Sequence, residues 1–437
     1  MQRVSRAFGA GSALLAATAT VILLVFNIRR LVFLVVASLD LLSRRSRRYK
    51  YDQADQMLPA VLALAPMRNE AGSLPDLAAA LLALEYPAGR LTIGLIDDAS
   101  TDGSGAAMDA LAAAHSQIHV LHNPVSLGKA DSLNAGLARW AGGEIVAVYD
   151  ADARPEPGSL HQIVAAFSDP EVAAAGGMIR PANGLASLTA SYAAVERLVH
   201  QQVTMRAKDR LDLAPAILGS NCAYRRSDLA AVGGFPGGAF LEDSHLTVAF
   251  ARQGQRTRFL SDAVASDQAP ETLRAYWRQH VRWGRGFVDV AAGGGGGKSR
   301  RLARRLKPAS DSGKLAEASS RKARDVARRV ELTLFSLGYF DRLALLAGVG
   351  LVAVRGAAGK RGRIDRALRG MLIVNVLLPY AQIATALAAE RASLAWWVRL
   401  PVLPAFFVVD AAAAFWSLAL SASRQQRTWQ PTERSSV

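Results

Sequence analysis

Carboxylates occur in pairs at the ends of two apolar segments of the chain. Asp97 and Asp98 follow the segment LTIGLI, and Asp150 and Asp152 follow IVAVY. If these segments are parallel strands, their carboxyl ends form the edge at which open α/β sheets bind ligands. Asp97 and Asp98 could therefore accept hydrogen bonds from a nucleobase and a ribose. The alternative is that they only cap the helix that follows.

The spacing Asp150-x-Asp152 suits a divalent cation. Two carboxylates in a turn just beyond a strand can converge on one hard cation, and the same cation can hold a diphosphate. It would neutralise the charge that develops when a nucleotide diphosphate departs. Because Asp-x-Asp is common by chance, its place at the end of a predicted strand is what favours the functional interpretation.

A third acidic pair, Glu242-Asp243, opens a predicted helix. Asp243 could act as a general base, since deprotonating an acceptor hydroxyl that attacks the anomeric carbon of a sugar needs one carboxylate within hydrogen-bond reach. The alternative is a pair of charges that only complements the helix dipole. His245 is interpreted as structural because no second histidine lies near it in the sequence.

The segment 277–286 places Gln279, Arg282 and Trp283 in a Gln-x-x-Arg-Trp arrangement. Positions i and i+3 of a helix share one face, so Gln279 and Arg282 can enter one cleft, while Trp283 offers a flat surface on which a sugar can stack. The alternative is an amphipathic helix that lies on a membrane with its tryptophans at the interface.

Bringing these segments together requires a parallel sheet. Apolar segments alternate with helical patterns, with strands predicted at 61–65, 92–96, 118–121 and 145–149 and helices such as 74–84 and 130–140. This alternation predicts an α/β domain with a doubly wound, mostly parallel sheet over residues 51–290.

The composition indicates that part of the chain lies in a membrane. Of 437 residues, 51% are hydrophobic and 20% are charged, and the mean hydropathy of +0.14 is high for a protein dissolved in water. Residues 7–28 carry no charge and are long enough to span a bilayer. Residues 31–42 are then either an interfacial helix or an extension of a tilted first helix.

Residues 1–50 are therefore predicted to be a membrane anchor followed by a basic juxtamembrane segment. A cleaved signal peptide is the alternative. It is disfavoured because Arg29 and Arg30 follow the apolar segment and no clear cleavage site precedes them.

A second membrane region is predicted over residues 330–423. Residues 371–389 and 394–420 are apolar and long enough to span, and the charged residues at 390 and 391 would form the outer turn of this hairpin. Residues 331–354 hold two charged residues midway, which favours an interfacial or re-entrant helix over a true span. The glycine-rich, basic residues 291–329 predict a flexible linker, and residues 424–437 predict a cytoplasmic tail.

Basic residues concentrate in three tracts, and their positions decide what the net charge of +16 means. Lys and Arg number five in 43–50, twelve in 298–329 and six in 355–369. Each tract flanks an apolar segment, as expected for cytoplasmic loops that touch anionic membrane lipid. A nucleic-acid partner is excluded because its binding surface would place the basic residues on a folded face.

The cysteine content indicates the compartment. Cys222 is the single cysteine, so the chain can form no internal disulfide and no multi-cysteine zinc site. This suits a reducing environment. We therefore predict a multi-pass protein of the plasma membrane whose α/β domain is cytoplasmic.

In their order and separation, these motifs resemble the membrane-bound family 2 glycosyltransferases, which include the cellulose, hyaluronan and poly-N-acetylglucosamine synthases. The resemblance covers residues 58–287. Further segments support it, namely Pro66-Met67-Arg68-Asn69-Glu70, Gly128-Lys129-Ala130, Leu133-Asn134-Ala135-Gly136, Tyr224-Arg225-Arg226 and, in the tail, Trp429-x-x-Thr432-x-Arg434. Two positions depart from the family's pattern: His280, where Arg or another basic residue is frequent, and Leu241, where many members have Thr.

The resemblance implies a GT-A type nucleotide-diphospho-sugar transferase domain with one Rossmann-like, mostly parallel sheet, joined to transmembrane helices. It implies that Asp97 and Asp98 bind the uridine. It implies that Asp150 and Asp152 hold the diphosphate and its Mg²⁺ or Mn²⁺, and that Lys129 contacts the diphosphate. It further implies that Asp243, beside Glu242, is the base. Gln279, Arg282 and Trp283 would line the acceptor and diphosphate end.

The implied reaction is inverting transfer of a sugar from a nucleotide diphosphate sugar, a UDP-sugar by resemblance, to a saccharide acceptor, and processive polysaccharide synthesis is one form of it. One alternative is a non-processive transferase acting on a lipid acceptor. Another is a membrane-tethered protein that binds a nucleotide sugar without turnover, but the intact Asp243 and the Gln-x-x-Arg-Trp motif argue against it. The small predicted membrane region weakens the case for a polymer channel without weakening the case for sugar transfer.

Overall fold

The computed structural model describes residues 2–43, 58–87, 89–292, 315–338 and 341–423. In this part of the chain, one eight-stranded sheet forms the centre of the α/β domain, with the strand order β3-β2-β1-β4-β7-β6-β8-β5. Its strands are β1 (Val61–Met67), β2 (Leu91–Asp97), β3 (Ile118–His122), β4 (Ile145–Val148), β5 (Arg154–Pro155), β6 (Val172–Pro181), β7 (Cys222–Arg225) and β8 (Arg256–Asp267).

Parallel pairing predominates in this sheet. β1 pairs in parallel with β2 and β4, β2 with β3, and β6 with β8, whereas β7 is antiparallel to β4 and β6, and β5 to β8. The predicted α/β domain with a mostly parallel sheet is therefore confirmed, and the four predicted strands correspond to β1–β4. The carboxyl ends of β1, β2 and β4 lie side by side, which brings the acidic pairs to one edge.

Nine helices accompany this sheet within residues 58–292 of the described chain. They are α2 (Leu74–Leu82), α3 (Ser104–Ala114), α4 (Lys129–Arg139), α5 (Ser159–Ala165), α6 (Leu188–Val199), α7 (Arg206–Arg210), α8 (Arg226–Ala231), α9 (Glu242–Arg252) and α10 (Leu273–Ala291), and a π-helical turn joins α6 to α7. Side chains of β1 enter two cores alternately. Val61 and Ala63 pack with α2 and α5, and Leu62 and Leu64 pack with α4 and α9. Because both faces are buried, the strand is a continuous apolar segment.

The first candidate membrane helix, α1 (Gln2–Ser43), is continuous. Residues 31–42 extend it, in agreement with the second of the two alternatives raised for them. Its carboxyl-terminal part lies against the α/β domain, since Phe33 and Ala37 pack in the core formed with α6 and Asp40 accepts a hydrogen bond from Arg206 at 3.0 Å. Residues 9–43 are long and apolar enough to cross a membrane.

The carboxyl-terminal region contains five helices in its described residues: α11 (Leu315–Gly338), α12 (Asp341–Ala357), α13 (Arg363–Ala389), α14 (Leu394–Arg399) and α15 (Phe406–Ala422). α13 is long and apolar enough to cross a membrane, whereas α11 and α12 meet at a bend of 66°, and α14 and α15 at a bend of 63°. Two helices of the described chain are therefore candidate spans, or up to four if each bent pair is one span.

Two predicted segments differ from the structure at their boundaries. The predicted flexible linker 291–329 ends earlier than expected, because α11 begins at Leu315 in a stretch of Ala, Arg, Lys and Glu, which favour helix. The rest of that linker, the tract at 44–50 and the tail with its Trp429 motif lie outside the described residues. The predicted segment 331–354 falls on both arms of the α11–α12 bend, with Asp341 and Arg342 at the start of the second arm.

The predictions of a cytoplasmic α/β domain and of an outer turn at Glu390 and Arg391 cannot both hold. Glu390 forms an ion pair at 2.6 Å with Arg180, which lies on β6, so the carboxyl-terminal end of α13 lies against the α/β domain. At the opposite end of the helix pair, Arg355 pairs with Asp365 and donates to Ser12 of α1 at 2.9 Å. The basic connection between α12 and α13 is therefore near the start of α1, away from the α/β domain.

The predicted span 394–420 is not one straight helix: it consists of α14 and α15, which meet at a bend, and α15 lies against the α/β domain. α15 packs along α10, and the Ser417 hydroxyl donates to the Val281 carbonyl at 3.2 Å. α10 carries four arginines, at positions 274, 278, 282 and 285. Because such a helix is unfavourable inside hydrocarbon, we expect α10 and α15 to lie together at the membrane surface.

Candidate active site

A cavity of about 480 Å³ lies at the carboxyl edge of the sheet and extends to the membrane helices. Nine of the ten residues predicted from the sequence line it, namely Asp98, Lys129, Asp150, Asp152, Glu242, Asp243, Gln279, Arg282 and Trp283. The tenth, Asp97, is adjacent to Asp98 at the end of β2. The fold therefore gathers motifs that are spread over almost two hundred residues of sequence.

Asp98 stabilises the loop before α4 by accepting hydrogen bonds from it. Its carboxylate accepts hydrogen bonds from two backbone amides, those of Leu127 and Gly128, and from the side chains of Asn123, Ser126 and Ser132, all between 2.7 and 3.0 Å. Burial would raise the pKa of Asp98, but these hydrogen bonds hold it below its ordinary value. Asp98 therefore sets the position of the loop that delivers Lys129, and it presents little free acceptor capacity to a nucleobase.

Asp97 has a similar local role. It accepts a hydrogen bond from the Ser100 amide at 2.9 Å, and its other oxygen lies 3.0 Å from Nδ1 of His122. Burial opposes the effect of these contacts, but together they lower the pKa of Asp97. The carboxylate is thus ionised and held rigidly at the end of β2.

Lys129 is the electrostatic centre of the cavity. Its Nζ atom lies 2.7 Å from Asp150 Oδ1, 2.8 Å from the Gly219 carbonyl oxygen and 3.2 Å from Glu242 Oε1. Burial alone would lower the pKa of Lys129, but the carboxylates of Asp150, Glu242 and Asp243 outweigh it and raise the pKa above its ordinary value. The lysine therefore remains charged and holds the carboxylates of Asp150 and Glu242 in place, with that of Asp243 nearby.

Asp243 and Glu242 lie in the first turn of α9, facing Gly219. Gly219 has φ of +75°, and a Cβ atom there would lie 2.9 Å from Asp243 Oδ2 and 3.2 Å from Lys129 Nζ. Only glycine leaves this space open. Burial and the neighbouring charge of Glu242 raise the pKa of Asp243 to about 7, against the opposing effect of Lys129. A carboxylate with such a pKa is suited to general base work at neutral pH.

Asp150 and Asp152 follow β4 and present carboxylate oxygens to the same cavity. The described residues contain no group of three or more His, Cys, Asp or Glu side chains placed to hold a metal. Two carboxylates still fit Mg²⁺ or Mn²⁺, because such ions are typically bound by one or two carboxylates, with substrate phosphates and water completing the shell. The fit requires the diphosphate of the donor to supply the remaining oxygens.

α10 contributes three of the predicted residues to the cavity. Gln279 and Arg282 line it from one face of the helix, as their spacing predicts, and Trp283 follows directly. His280 is buried and stacks on Tyr276, with ring centroids 3.8 Å apart, and lies 4.9 Å from the Trp283 ring. The indole of Trp283 therefore has a fixed aromatic support.

Residues 59–286 match the protein family described as "Glycosyltransferase like family 2". The chain belongs to this family. It is 31% identical to the probable glycosyltransferase YdaM of Bacillus subtilis, over 54% of this chain and 57% of that protein. It is 27% identical to an N-acetylglucosaminyltransferase of Rhizobium meliloti, over 52% of this chain and 55% of that protein. The chain thus spans little more than half the length of these relatives.

The similarity to a solved structure extends further along the chain. A mannosyltransferase from Pyrobaculum calidifontis, PcManGT, solved in complex with GDP-Man and Mn²⁺, has a TM-score of 0.59 and 22% sequence identity. The superposition covers 93% of this chain and 98% of that one. The protein is therefore a family 2 glycosyltransferase with a GT-A-like fold and candidate membrane helices.

Glu196 on α6 is a residue of the cavity in this glycosyltransferase that the sequence did not predict. It lines the cavity and lies 2.9 Å from both His280 Nε2 and Arg342 Nη2. Burial would raise the pKa of Glu196, but the positive charges of His280 and Arg342 lower it to about 2. A lone glutamate in a helix carries no motif, and its partners lie 84 and 146 residues away in the sequence, so no local pattern identifies it.

Proposed function

We propose that this family 2 glycosyltransferase transfers a sugar, with inversion, from a nucleotide diphosphate sugar to a hydroxyl group delivered at the membrane surface. The observation that carries the proposal is the position of Asp243. Its carboxylate has a pKa near neutrality and lines the same cavity as Lys129, Asp150 and Asp152. A base and a diphosphate site in one cavity support direct attack of an acceptor on a donor sugar.

The donor diphosphate is proposed to lie at the end of β4. Asp150 and Asp152 would hold a divalent cation there, which when bound supplies positive charge against the departing nucleotide diphosphate. Lys129 keeps Asp150 and Glu242 in place through contacts of 2.7 and 3.2 Å. The proposed donor is a UDP-sugar. Asp97 and Asp98 would shape the pocket for its nucleobase by holding the neighbouring loops in place.

The acceptor is proposed to approach along α10. Asp243 would take the proton from its hydroxyl, and the oxygen would attack the anomeric carbon on the side opposite the diphosphate, which inverts the configuration. Gln279, Arg282 and Trp283 line this end of the cavity. Stacking on Trp283 would hold an acceptor sugar or the headgroup of an acceptor lipid at the required distance.

A lipid-linked acceptor is favoured over a growing polymer by the shape of the cavity. Its lining continues beyond α10 to Phe26 and Arg30 of α1 and to Phe335 and Gly338 at the α11–α12 bend. The cavity thus ends beside the first membrane helix. In addition, two to four candidate spans among the described residues are few to enclose a polymer channel. Non-processive transfer is therefore the better-supported form, and processive polysaccharide synthesis is the second candidate.

The proposed location is the plasma membrane, with the α/β domain in the cytoplasm and the start of α1 outside. Two basic tracts, 43–50 and 298–329, flank the α/β domain and together hold seventeen Lys or Arg, whereas the tract 355–369 at the opposite end holds six. In the sequence, the larger positive charge therefore adjoins the α/β domain, which supports a cytoplasmic location for that domain.

The proposal is tested by incubating the purified full chain in lipid nanodiscs with labelled UDP-glucose, UDP-N-acetylglucosamine and GDP-mannose. We expect one of these donors to release its nucleotide diphosphate and label an organic-soluble product. Label in a long, water-soluble product would instead indicate processive synthesis. Binding of a donor without turnover, in the presence of total membrane lipids and short oligosaccharides, would contradict the enzymatic proposal.

Replacing Trp283 with alanine is expected to raise the KM for the acceptor by about 10-fold while leaving the affinity for the donor unchanged. The reason is that the indole lies on the acceptor side, and loss of a stacking surface worth roughly 1–2 kcal/mol weakens acceptor binding. Initial rates at varied acceptor and varied donor separate the two constants. Trp140→Phe is a control, because Trp140 packs against another core of the α/β domain and does not line the cavity. A change confined to donor affinity would contradict the placement of Trp283.

A further inference from the structure

Four ionisable residues from four different helices form a network beside the cavity, in which His280 and Asp410 are buried and Glu196 and Arg342 are partly exposed. None of them has a role in the reaction described above. They are Glu196 of α6, His280 of α10, Arg342 of α12 and Asp410 of α15. His280 Nε2 and Arg342 Nη2 each lie 2.9 Å from Glu196, and Arg342 Nη2 lies 3.0 Å from Asp410 Oδ2. We call these residues the α6–α15 network.

Two tyrosine hydroxyls and a backbone carbonyl add hydrogen bonds to the network. The Tyr192 hydroxyl donates to Asp410 Oδ2 at 2.7 Å, and the Tyr276 hydroxyl donates to its other oxygen. His280 Nδ1 lies 3.0 Å from the Tyr276 carbonyl oxygen, so both ring nitrogens face acceptors. In the imidazolium form both nitrogens donate, and the network then contains two positive and two negative charges.

Stability alone does not account for this arrangement. Asp410 is 0% exposed and His280 is 1% exposed, so these two groups lose almost all of their hydration when the protein folds, whereas the side chains of Arg342 and Glu196 remain 15% and 28% exposed. Replacing such a network by apolar side chains of similar volume is often neutral or stabilising, because the loss of hydration offsets the attraction between the charges. Ion pairs fix the geometry of their partners more strictly than apolar contacts do, because each hydrogen bond requires a particular distance and direction.

The α6–α15 network lies between Trp283 of α10 and the start of α12. His280 lies between the rings of Tyr276 and Trp283, at 3.8 and 4.9 Å. Arg342 lies in the first turn of α12, directly after the bend that borders the membrane end of the cavity. The network therefore joins the support of Trp283 to the helix that leads into the membrane.

We propose that the α6–α15 network is a positioning device that holds α10, and with it Trp283, in register with the membrane helix α12, so that an acceptor entering from the membrane meets Asp243. The residues of the network do not touch the reacting atoms. This inference rests on the proposed function, because it takes Trp283 as the acceptor surface. Glu196 and Asp410 are the positioning residues on which it depends.

The test uses Asp410→Asn and Glu196→Gln in the full chain in nanodiscs, since both substitutions keep the shape and remove one charge. We expect the KM for the acceptor to rise about 10- to 100-fold, as for a misplacement of roughly 1 Å, with the donor affinity unchanged. The acceptor probe is dioleoylglycerol in the nanodisc or cellobiose in solution, whichever the unmodified enzyme uses. Backbone hydrogen exchange of residues 277–286 is measured in parallel and is expected to accelerate.

A matched control is available at the far end of the membrane helices. Asp365 and Arg355 form another buried carboxylate–arginine pair, at 2.6 Å, which also involves α12 but does not line the cavity. Asp365→Asn is expected to leave both the acceptor KM and the exchange of residues 277–286 unchanged. Equal effects of Asp410→Asn and Asp365→Asn, or an unchanged acceptor KM in Asp410→Asn, would overturn the inference.

The two proposals fail in different ways. If the unmodified enzyme transfers sugar neither to these probes nor to any acceptor among total membrane lipids and short oligosaccharides, the proposed function is overturned, and the exchange measurement alone decides the network. Faster exchange of residues 277–286 in Asp410→Asn and Glu196→Gln, but not in Asp365→Asn, would still support a device that holds α10. Identical exchange in all variants would overturn it.

Discussion

Replacing Asp243 with asparagine is expected to lower kcat by about 10²–10⁴-fold, the contribution typical of a general base. Asparagine has nearly the same shape but cannot accept the proton of the attacking hydroxyl. Donor affinity should be unchanged or slightly higher, because the substitution removes a negative charge near Lys129 and the proposed diphosphate site. Nucleotide diphosphate release and equilibrium binding of the labelled donor, measured on the same preparation, separate the two effects.

The pH dependence of the unmodified enzyme provides a second measurement on Asp243. Its pKa is raised to about 7 by burial and by Glu242. Below that pH the carboxyl group is protonated and cannot act as a base, so kcat/KM should fall as the pH decreases through 7. The kcat/KM profile reports groups of the free enzyme, and this acidic limb should be absent from the residual activity of Asp243→Asn.

Asp262→Asn is a matched control, because Asp262 is an exposed carboxylate on β8 that accepts a hydrogen bond from the neighbouring Ser261 hydroxyl and does not line the cavity. It should retain both kcat and the acidic limb. Transfer at the unmodified rate by Asp243→Asn would mean that Glu242 and Asp243 only complement the dipole of α9. The mechanism proposed above would then be wrong.

The sequence predicts the carboxyl edge of the sheet well because the physical cause is local. β4 is uniformly apolar, and β2 is mostly apolar, since both faces of a parallel strand are buried, and acidic residues at or just after the last residue mark where each strand ends. The i, i+3 spacing of Gln279 and Arg282 likewise reflects helix geometry alone. For this reason the sequence predicts nine of the residues that line the cavity.

Features that depend on distant partners could not be predicted in this way. Glu390 follows an apolar helix and carries a charge, which is also what an outer turn would show. Its position is decided by Arg180, 210 residues away in the sequence. The charge of Asp410 inside an apolar helix makes sense only beside Arg342 and Tyr276, each from another helix. Hydrophobic periodicity records which residues are buried, but not against which partner.

Removing divalent metal is expected to reduce turnover by at least about 10²-fold. The reason is that the charges at the end of β4 are negative and would repel a diphosphate. Asp98, Asp150, Asp152 and Glu242 all line this part of the cavity, so an incoming diphosphate meets clustered negative charge. Lys129 alone cannot offset it, because its Nζ atom is already held by Asp150, Glu242 and the Gly219 carbonyl. A divalent cation between the carboxylates and the diphosphate would reverse this repulsion.

The measurement is turnover after dialysis against EDTA, followed by addition of Mg²⁺ or Mn²⁺, which should restore it. Asp152→Asn keeps the packing of a side chain that is 5% exposed and removes one ligand charge. It should therefore lower both turnover and the affinity for Mn²⁺ in the presence of donor, as followed by electron paramagnetic resonance, whereas Asp262→Asn should change neither. Undiminished turnover in excess EDTA would contradict the assignment of Asp150 and Asp152 to a metal and would leave Lys129 and Arg282 as the groups that face the diphosphate.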